Sequence, residues 1–161
     1  MESTPTKLPS VGSLAPSFEL QDQEGIMHAL EKYRGKYVLM YFYPKDDTPG
    51  CTKEACAIRD AFPDFTGASA VVLGISPDTV KSHAKFVQKY NLPFTLLADE
   101  GHKVASVYGV WGKKKFMGRE YDGVSRTSFL IAPDGTIAKV YEGVKPEVHA
   151  AEVLADLKEL A

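Results

Sequence analysis

Apolar residues along this chain follow two rhythms. Tyr37-Val-Leu-Met-Tyr-Phe-Tyr43 is apolar at every position, as a strand covered on both faces would be. Val71-Val-Leu-Gly-Ile75 and Phe94-Thr-Leu-Leu-Ala98 read as two more strands of the same kind. Phe18-Glu-Leu-Gln alternates apolar and polar before the turn Asp22-Gln23-Glu24-Gly25, which predicts an N-terminal hairpin or edge pair. Between the strands the spacing changes to three and four. Ala55, Ile58, Arg59 and Phe62 predict a helix from about Thr48 or Gly50 to Asp64. Asp78, after Ser76-Pro77, is placed to cap a second helix running to about Tyr90. A short helix over Lys103–Tyr108 should stop at Gly109. Ser128-Phe-Leu-Ile-Ala132 and Thr136–Tyr141 flank Pro133-Asp134-Gly135, a strong turn signal, and predict a second hairpin. An amphipathic helix from about Pro146 to Leu160 closes the chain.

Strands alternating with helices argue for an α/β fold, a sheet with helices on both faces. The late hairpin adds antiparallel pairing, so the sheet should be mixed. This β-α-β then β-β-α order resembles the thioredoxin fold, extended by an N-terminal hairpin and one inserted strand–helix unit. No repeat, low-complexity tract or linker divides the sequence. Residues 1–11 are expected to be a flexible lead-in and 12–161 a single domain.

Composition narrows the function classes. A chain of 161 residues with 44% apolar content suffices for one core. The net charge is −2 and the isoelectric point is about 6.1, so neither nucleic acid nor an anionic membrane is an expected partner. No apolar run approaches the ~20 residues of a membrane span. The first dozen residues carry no apolar h-region, so no secretory signal is read and the cytoplasm is the default location. Lys113-Lys114-Lys115 reads as a solvated loop. There are two cysteines, Cys51 and Cys56, too few for a disulfide scaffold. Two cysteines close together point to redox chemistry or metal.

Cys51 lies where the Tyr37–Tyr43 strand hands over to a helix. The positive end of that helix dipole favours the thiolate, which is the nucleophile. Four readings compete: a buried apolar thiol, a structural metal ligand, a disulfide exchanger, and a nucleophile toward an oxidant with Cys56 resolving the product. Pro49-Gly50 and Thr52 beside Cys51 argue against the first. A metal site needs about four ligands, and His28, His83, His102 and His149 are scattered without ligand spacing, so no metal is expected. The spacing C-x4-C differs from the C-x-x-C of disulfide exchangers. On one regular helix, residues 51 and 56 have Cα atoms roughly 8.7 Å apart on different faces, whereas a disulfide tolerates at most about 7 Å. A bond between them would therefore require the first turns of the helix to unwind.

Attack on a peroxide needs donors aimed at the developing charge. Thr48, three residues before Cys51, can bring a hydroxyl beside the sulfur, able both to accept from and donate to a peroxide. Arg126, in Gly123-Val-Ser-Arg126-Thr-Ser-Phe, enters an apolar strand where a charge is costly without a partner. It can stabilise a thiolate and hydrogen-bond peroxide oxygens. Arg59 and Arg34 read as ordinary surface charges. Pro44 ends the strand and would shield the thiol from water. Trp111, Phe116 and Phe94 either line a pocket for alkyl hydroperoxides or belong to the core.

Pro44-x3-Thr48-x2-Cys51 resembles the P-x-x-x-T-x-x-C signature of peroxiredoxins. Tyr43-Pro-Lys-Asp-Asp-Thr-Pro-Gly-Cys-Thr, with a second cysteine five residues on, is similar to the peroxiredoxin Q branch, also called bacterioferritin comigratory protein. Gly123-Val-Ser-Arg126-Thr-Ser-Phe resembles that branch's arginine segment, and the likeness runs from about Gly12 through the last helix. It implies a thiol peroxidase reducing hydrogen peroxide and organic hydroperoxides, without metal, haem, flavin or other cofactor. It further implies Cys51 as peroxidatic cysteine, Cys56 as resolving cysteine, and Thr48, Pro44 and Arg126 completing the catalytic site. The expected reductant is thioredoxin, or another dithiol such as glutaredoxin, and the expected state is a monomer. A thiol–disulfide oxidoreductase and a peroxide-sensing redox switch are the alternatives.

Overall fold

A computed structural model describes residues 8–160, apart from the side chain of Phe116. In chain order the elements are β1 (Glu19–Gln21), β2 (Met27–Ala29), β3 (Tyr37–Phe42), α1 (Pro49–Gly67), β4 (Ala70–Ser76), α2 (Val80–Tyr90), β5 (Thr95–Ala98), α3 (Lys103–Val107), β6 (Trp111–Phe116), β7 (Arg119–Val124), β8 (Thr127–Ile131), β9 (Ile137–Tyr141) and α4 (His149–Leu160). Seven strands form one sheet in the order β2-β1-β5-β4-β3-β8-β9. β3, β4 and β5 are parallel, while β8 joins β3 and β9 joins β8 antiparallel. The β1–β2 hairpin attaches antiparallel at the β5 edge. This is the mixed, thioredoxin-like sheet the pattern implied.

The unbroken apolar run of β3 has a direct cause. Leu39, Tyr41 and Tyr43 face one core layer, with Cys51, Ala55 and Ile58 of α1, Phe86 of α2 and Val153 of α4. Val38, Met40 and Phe42 face the other, with Phe18, Leu30, Val104 of α3 and Phe129. Side chains alternate across a strand, so a strand covered twice must be apolar at every position.

Of the lead-in expected over residues 1–11, residues 1–7 lie outside the described residues. Leu8 packs against the second layer, and Gly12 N–H donates to the Ile137 carbonyl at 2.8 Å.

Three elements depart from expectation. α1 does not stop at Asp64 but runs through Pro63 to Gly67. Phe65, beyond the proline, is fully buried, and burying a phenyl ring offsets the ~3 kcal/mol that an internal proline costs. α2 is capped by Thr79, whose hydroxyl accepts from Ser82 N–H at 3.0 Å. Asp78 instead turns inward, accepting from Ser76 Oγ at 2.6 Å and from Asp46 N–H at 2.8 Å. Lys113–Lys115 is not a loop but part of β6, paired to β7 in a separate two-stranded hairpin. Its turn is Met117-Gly118, with φ of 51° and 79°, the positive pair that a tight hairpin turn requires. Glycine adopts this conformation freely, but methionine rarely does, so the dipeptide carries little turn signal.

Candidate active site

The site begins where β3 ends. Pro44 is half-buried and interrupts the ladder, and the loop after it is pinned to α2. Asp46 accepts from Tyr43 Oη at 2.5 Å and Ser82 Oγ at 2.8 Å, and lies 2.7 Å from His83 Nδ1. His83 Nε2 reaches the Leu97 carbonyl at 2.9 Å. Asp47, at φ 58°, accepts from Lys89 Nζ at 2.8 Å and Tyr90 Oη at 2.9 Å. The loop thus delivers Thr48 to the N-cap and Pro49 to the first helical position, where a missing N–H costs nothing.

Thr48 does not cap with its hydroxyl. Its Oγ1 donates to the Lys45 carbonyl at 2.8 Å, while its own carbonyl accepts from Thr52 N–H at 2.8 Å. In this state the hydroxyl proton is committed and the oxygen's lone pairs remain, so Thr48 is an acceptor here rather than both donor and acceptor.

Cys51 occupies the first turn of α1 and is 1% exposed. Arg126 reaches it from the start of β8: Nη1 donates to Cys51 Sγ at 3.5 Å and to Glu54 Oε1 at 2.9 Å. The guanidinium is therefore no surface charge. Its backbone carbonyl also accepts from Val144 N–H at 3.0 Å, which ties the segment to the chain before α4. Burial opposes the Arg126 charge, but the Cys51 and Glu54 anions outweigh burial and raise its pKa above the ordinary arginine value. Glu54, one turn below Cys51, is fully buried. Burial pushes its carboxyl up to about 7 against the pull of Arg126. Glu54 Oε2 and Tyr41 Oη have no hydrogen-bond partner among the described residues. Burial raises the Tyr41 pKa well above the usual tyrosine value, and the Glu54 and Cys51 charges add to it. Cys56 lies on the same helix, half-buried, and both cysteines are free thiols.

The chain matches the AhpC/TSA family over residues 11–140. It is 52% identical to a putative peroxiredoxin bcp of Coxiella burnetii, over 91% of this chain and 97% of that protein. It is 46% identical to peroxiredoxin Bcp of Bacillus subtilis, over 94% and 96%. The chain belongs to the AhpC/TSA family, in its peroxiredoxin Q/Bcp branch. Solved structures agree. Peroxiredoxin Q of Xanthomonas campestris superposes with a TM-score of 0.84 at 36% identity, covering 88% of this chain and 90% of that one. A bacterioferritin comigratory protein of the same organism, solved as trapped intermediate and ligand complexes bearing on its alkyl peroxide reduction activity, gives 0.85 at 33%, covering 98% and 99%.

In this peroxiredoxin the fold brings Cys51 and Arg126 together at the start of α1, with Thr48 and Pro44 on the loop leading into it. Glu54 and Gly50 escaped the sequence reading. Glu54 sits among apolar helix positions and looks like an ordinary helix charge. Gly50 matters because a Cβ there would stand 2.9 Å from Arg126 Nη2, a contact no local pattern shows. Arg59 pairs with Asp60 at 3.0 Å and donates to the Tyr90 carbonyl at 2.8 Å. Phe94 belongs to the core, packed against Tyr41 and Phe62. Trp111 stacks on His102 with ring centres 3.8 Å apart. Phe116's side chain lies outside the described residues.

His83 is less scattered than its position in the sequence suggests. With Asp46 and Asp78 it places ligand-type atoms within 4.8 Å of one another. Those atoms are taken up by the loop's own hydrogen bonds to Tyr43, Ser76 and Ser82, so the cluster is the brace of the active-site loop.

Proposed function

We propose that this thiol peroxidase works through Cys51 as peroxidatic cysteine and Cys56 as resolving cysteine, with thioredoxin or a similar dithiol as reductant. The observation that carries the reading is Arg126 Nη1 at 3.5 Å from Cys51 Sγ, within the first turn of a helix. Cation and dipole both favour the thiolate.

The Cys51 thiolate attacks one oxygen of the peroxide, an S–O bond forms and the O–O bond breaks. The departing oxygen leaves as water or alcohol after taking a proton, and Cys51 becomes a sulfenic acid. Arg126 donates to the oxygens as charge builds on them, which favours the transition state over the ground state. The free lone pairs of Thr48 can accept the peroxide's O–H and orient it. Cys56 then attacks the sulfenic sulfur, water leaves, and a disulfide joins the two residues. An external dithiol reduces it by exchange. Hydrogen peroxide and alkyl hydroperoxides are the substrates of this reading, the working form is a monomer, and the location is the cytoplasm. No helix among the described residues is long and apolar enough to cross a membrane.

The test follows NADPH oxidation with thioredoxin, thioredoxin reductase and hydrogen peroxide. Wild type turns over, Cys51→Ser does not, and Cys56→Ser turns over slowly. Thiol loss on adding peroxide without turnover would favour the redox-switch reading. Reduction of protein disulfides without peroxide consumption would favour the exchanger.

A further inference from the structure

Three consecutive lysines lie on β6 and alternate across the hairpin. Lys113 Nζ stands 3.9 Å from Asp122 Oδ1, and Lys115 Nζ 3.8 Å from Glu120 Oε2, with side chains 75% and 79% exposed. Lys114, between them, points to the opposite face, as the period of two requires. It is half-buried and forms no ion pair among the described residues. Its Nζ donates to the Val124 carbonyl at 2.9 Å. Its stem lies along Gly123, where a Cβ would stand 3.2 Å from Lys114 Cδ. Val124 is two residues before Arg126.

The charges around Lys114 come from several elements. Burial holds its ammonium below the ordinary lysine value, Arg126 pushes the same way, and the Cys51 thiolate opposes both. Lys114 therefore shares one field with the reacting sulfur and its arginine, and through Arg126 with Glu54 of α1. Tyr121 is its cross-strand neighbour.

We propose that Lys114 is a positioning residue for the reaction at Cys51. Its bond to the Val124 carbonyl fixes the backbone that delivers Arg126, and its charge adds a second cation to the field of the thiolate. Lys113 and Lys115, exposed and paired with acidic residues on the far face, take no part. The inference rests on Cys51 being the peroxidatic cysteine.

The experiment measures the pH profile of Cys51 alkylation by iodoacetamide in a Cys56→Ser background, together with the rate of sulfenate formation with hydrogen peroxide. Alkylation reports the thiolate whether or not the protein is a peroxidase, so failure of the wild type to react with peroxide would overturn the reading of Cys51 and leave this inference separately decided. Lys114→Met keeps the stem and removes the charge. It should move the alkylation midpoint upward and slow reaction below that midpoint by roughly twofold to fivefold, the size expected of a partly exposed charge. Lys114→Arg should keep the wild-type profile, as should Lys113→Met and Lys115→Met. The difference should narrow as salt shortens the screening length from about 30 Å at 0.01 M to about 3 Å at 1 M. The same salt titration on wild type alone should raise its midpoint, a check that needs no variant to fold. A Lys114→Met profile that coincides with wild type at low salt overturns the proposal. So does a Lys114→Arg variant as slow as Lys114→Met.

Discussion

A methyl group at position 50 would stand 2.9 Å from Arg126 Nη2 and 4.0 Å from Pro146 Cγ. The guanidinium would have to move, and with it the 3.5 Å contact to Cys51. Gly50→Ala should therefore slow the reaction of Cys51 with peroxide about tenfold or more. Alanine in a helical turn is intrinsically better than glycine by about 0.5–1 kcal/mol, so the same variant should melt no lower than wild type. Stopped-flow peroxide kinetics beside a thermal melt would separate the two effects, and unchanged kinetics would show that Arg126 tolerates the displacement. Tyr41 offers a converse case. Its ring is fully buried but its hydroxyl lacks a partner among the described residues, so Tyr41→Phe should cost less than about 1 kcal/mol, or stabilise, in urea denaturation. A larger loss would mean that the hydroxyl is satisfied in solution. Cys51 and Arg126 were legible because a thiol beside a helix start and a charge entering an apolar strand are both out of place locally. Gly50 and Glu54 were not, since glycine and glutamate near a helix start are commonplace and only Arg126 gives them a role.

α1 carries both cysteines, and its regular geometry is incompatible with a bond between them. Disulfide formation should unwind its first turns. Amide exchange of residues 48–58 should be faster in the oxidised protein than in the reduced one, and equal protection would exclude the Cys51–Cys56 pairing in this form. The start of α2 behaves differently. Thr79 caps it with a single side-chain bond, so Thr79→Ala should lower stability by about 1 kcal/mol and leave Cys51 kinetics unchanged. Period and turn signals identified most elements, because hydrophobic spacing is a local property. Thr79 in place of Asp78 was not legible. Both are good caps, and the inward turn of Asp78 is set by Ser76 and by Asp46, which is 32 residues away in sequence. The β6–β7 hairpin was missed because its strands are polar and its Met117-Gly118 turn uses a residue that rarely takes positive φ.

Two buried titrating groups give the whole molecule opposite responses to pH. Glu54 has a folded pKa of about 7 against an ordinary 4.5, so between those values the folded state holds a proton that the unfolded state has lost. Its contribution is full below pH 4.5 and disappears as pH rises through about 7. Melting curves of Glu54→Gln should therefore gain on wild type as pH increases across that window, and a constant difference would refute the assignment. His149 works the other way. It is fully buried, with Nε2 2.8 Å from Ser128 Oγ and Nδ1 3.1 Å from Glu152 Oε1. Burial lowers its pKa, with Glu152 and Asp156 opposing. Its contribution is present above the ordinary histidine value of 6.5 and is lost as pH falls below it. His149→Gln should flatten that acid limb. Both groups acquire their environments from distant segments: Glu54 from Arg126, His149 from Ser128 on β8. What the sequence by itself determined was the alternation of strands and helices, the doubly covered β3 and the placing of Cys51 at a helix start, since these depend on neighbours a few residues apart. What only the tertiary structure decided was which polar groups meet: Arg126 with Cys51 and Glu54, Lys114 with the Val124 carbonyl, and Asp46 with His83. Electrostatics and close packing act through space, and the fold brings Arg126 to Cys51 although the chain keeps them 75 residues apart.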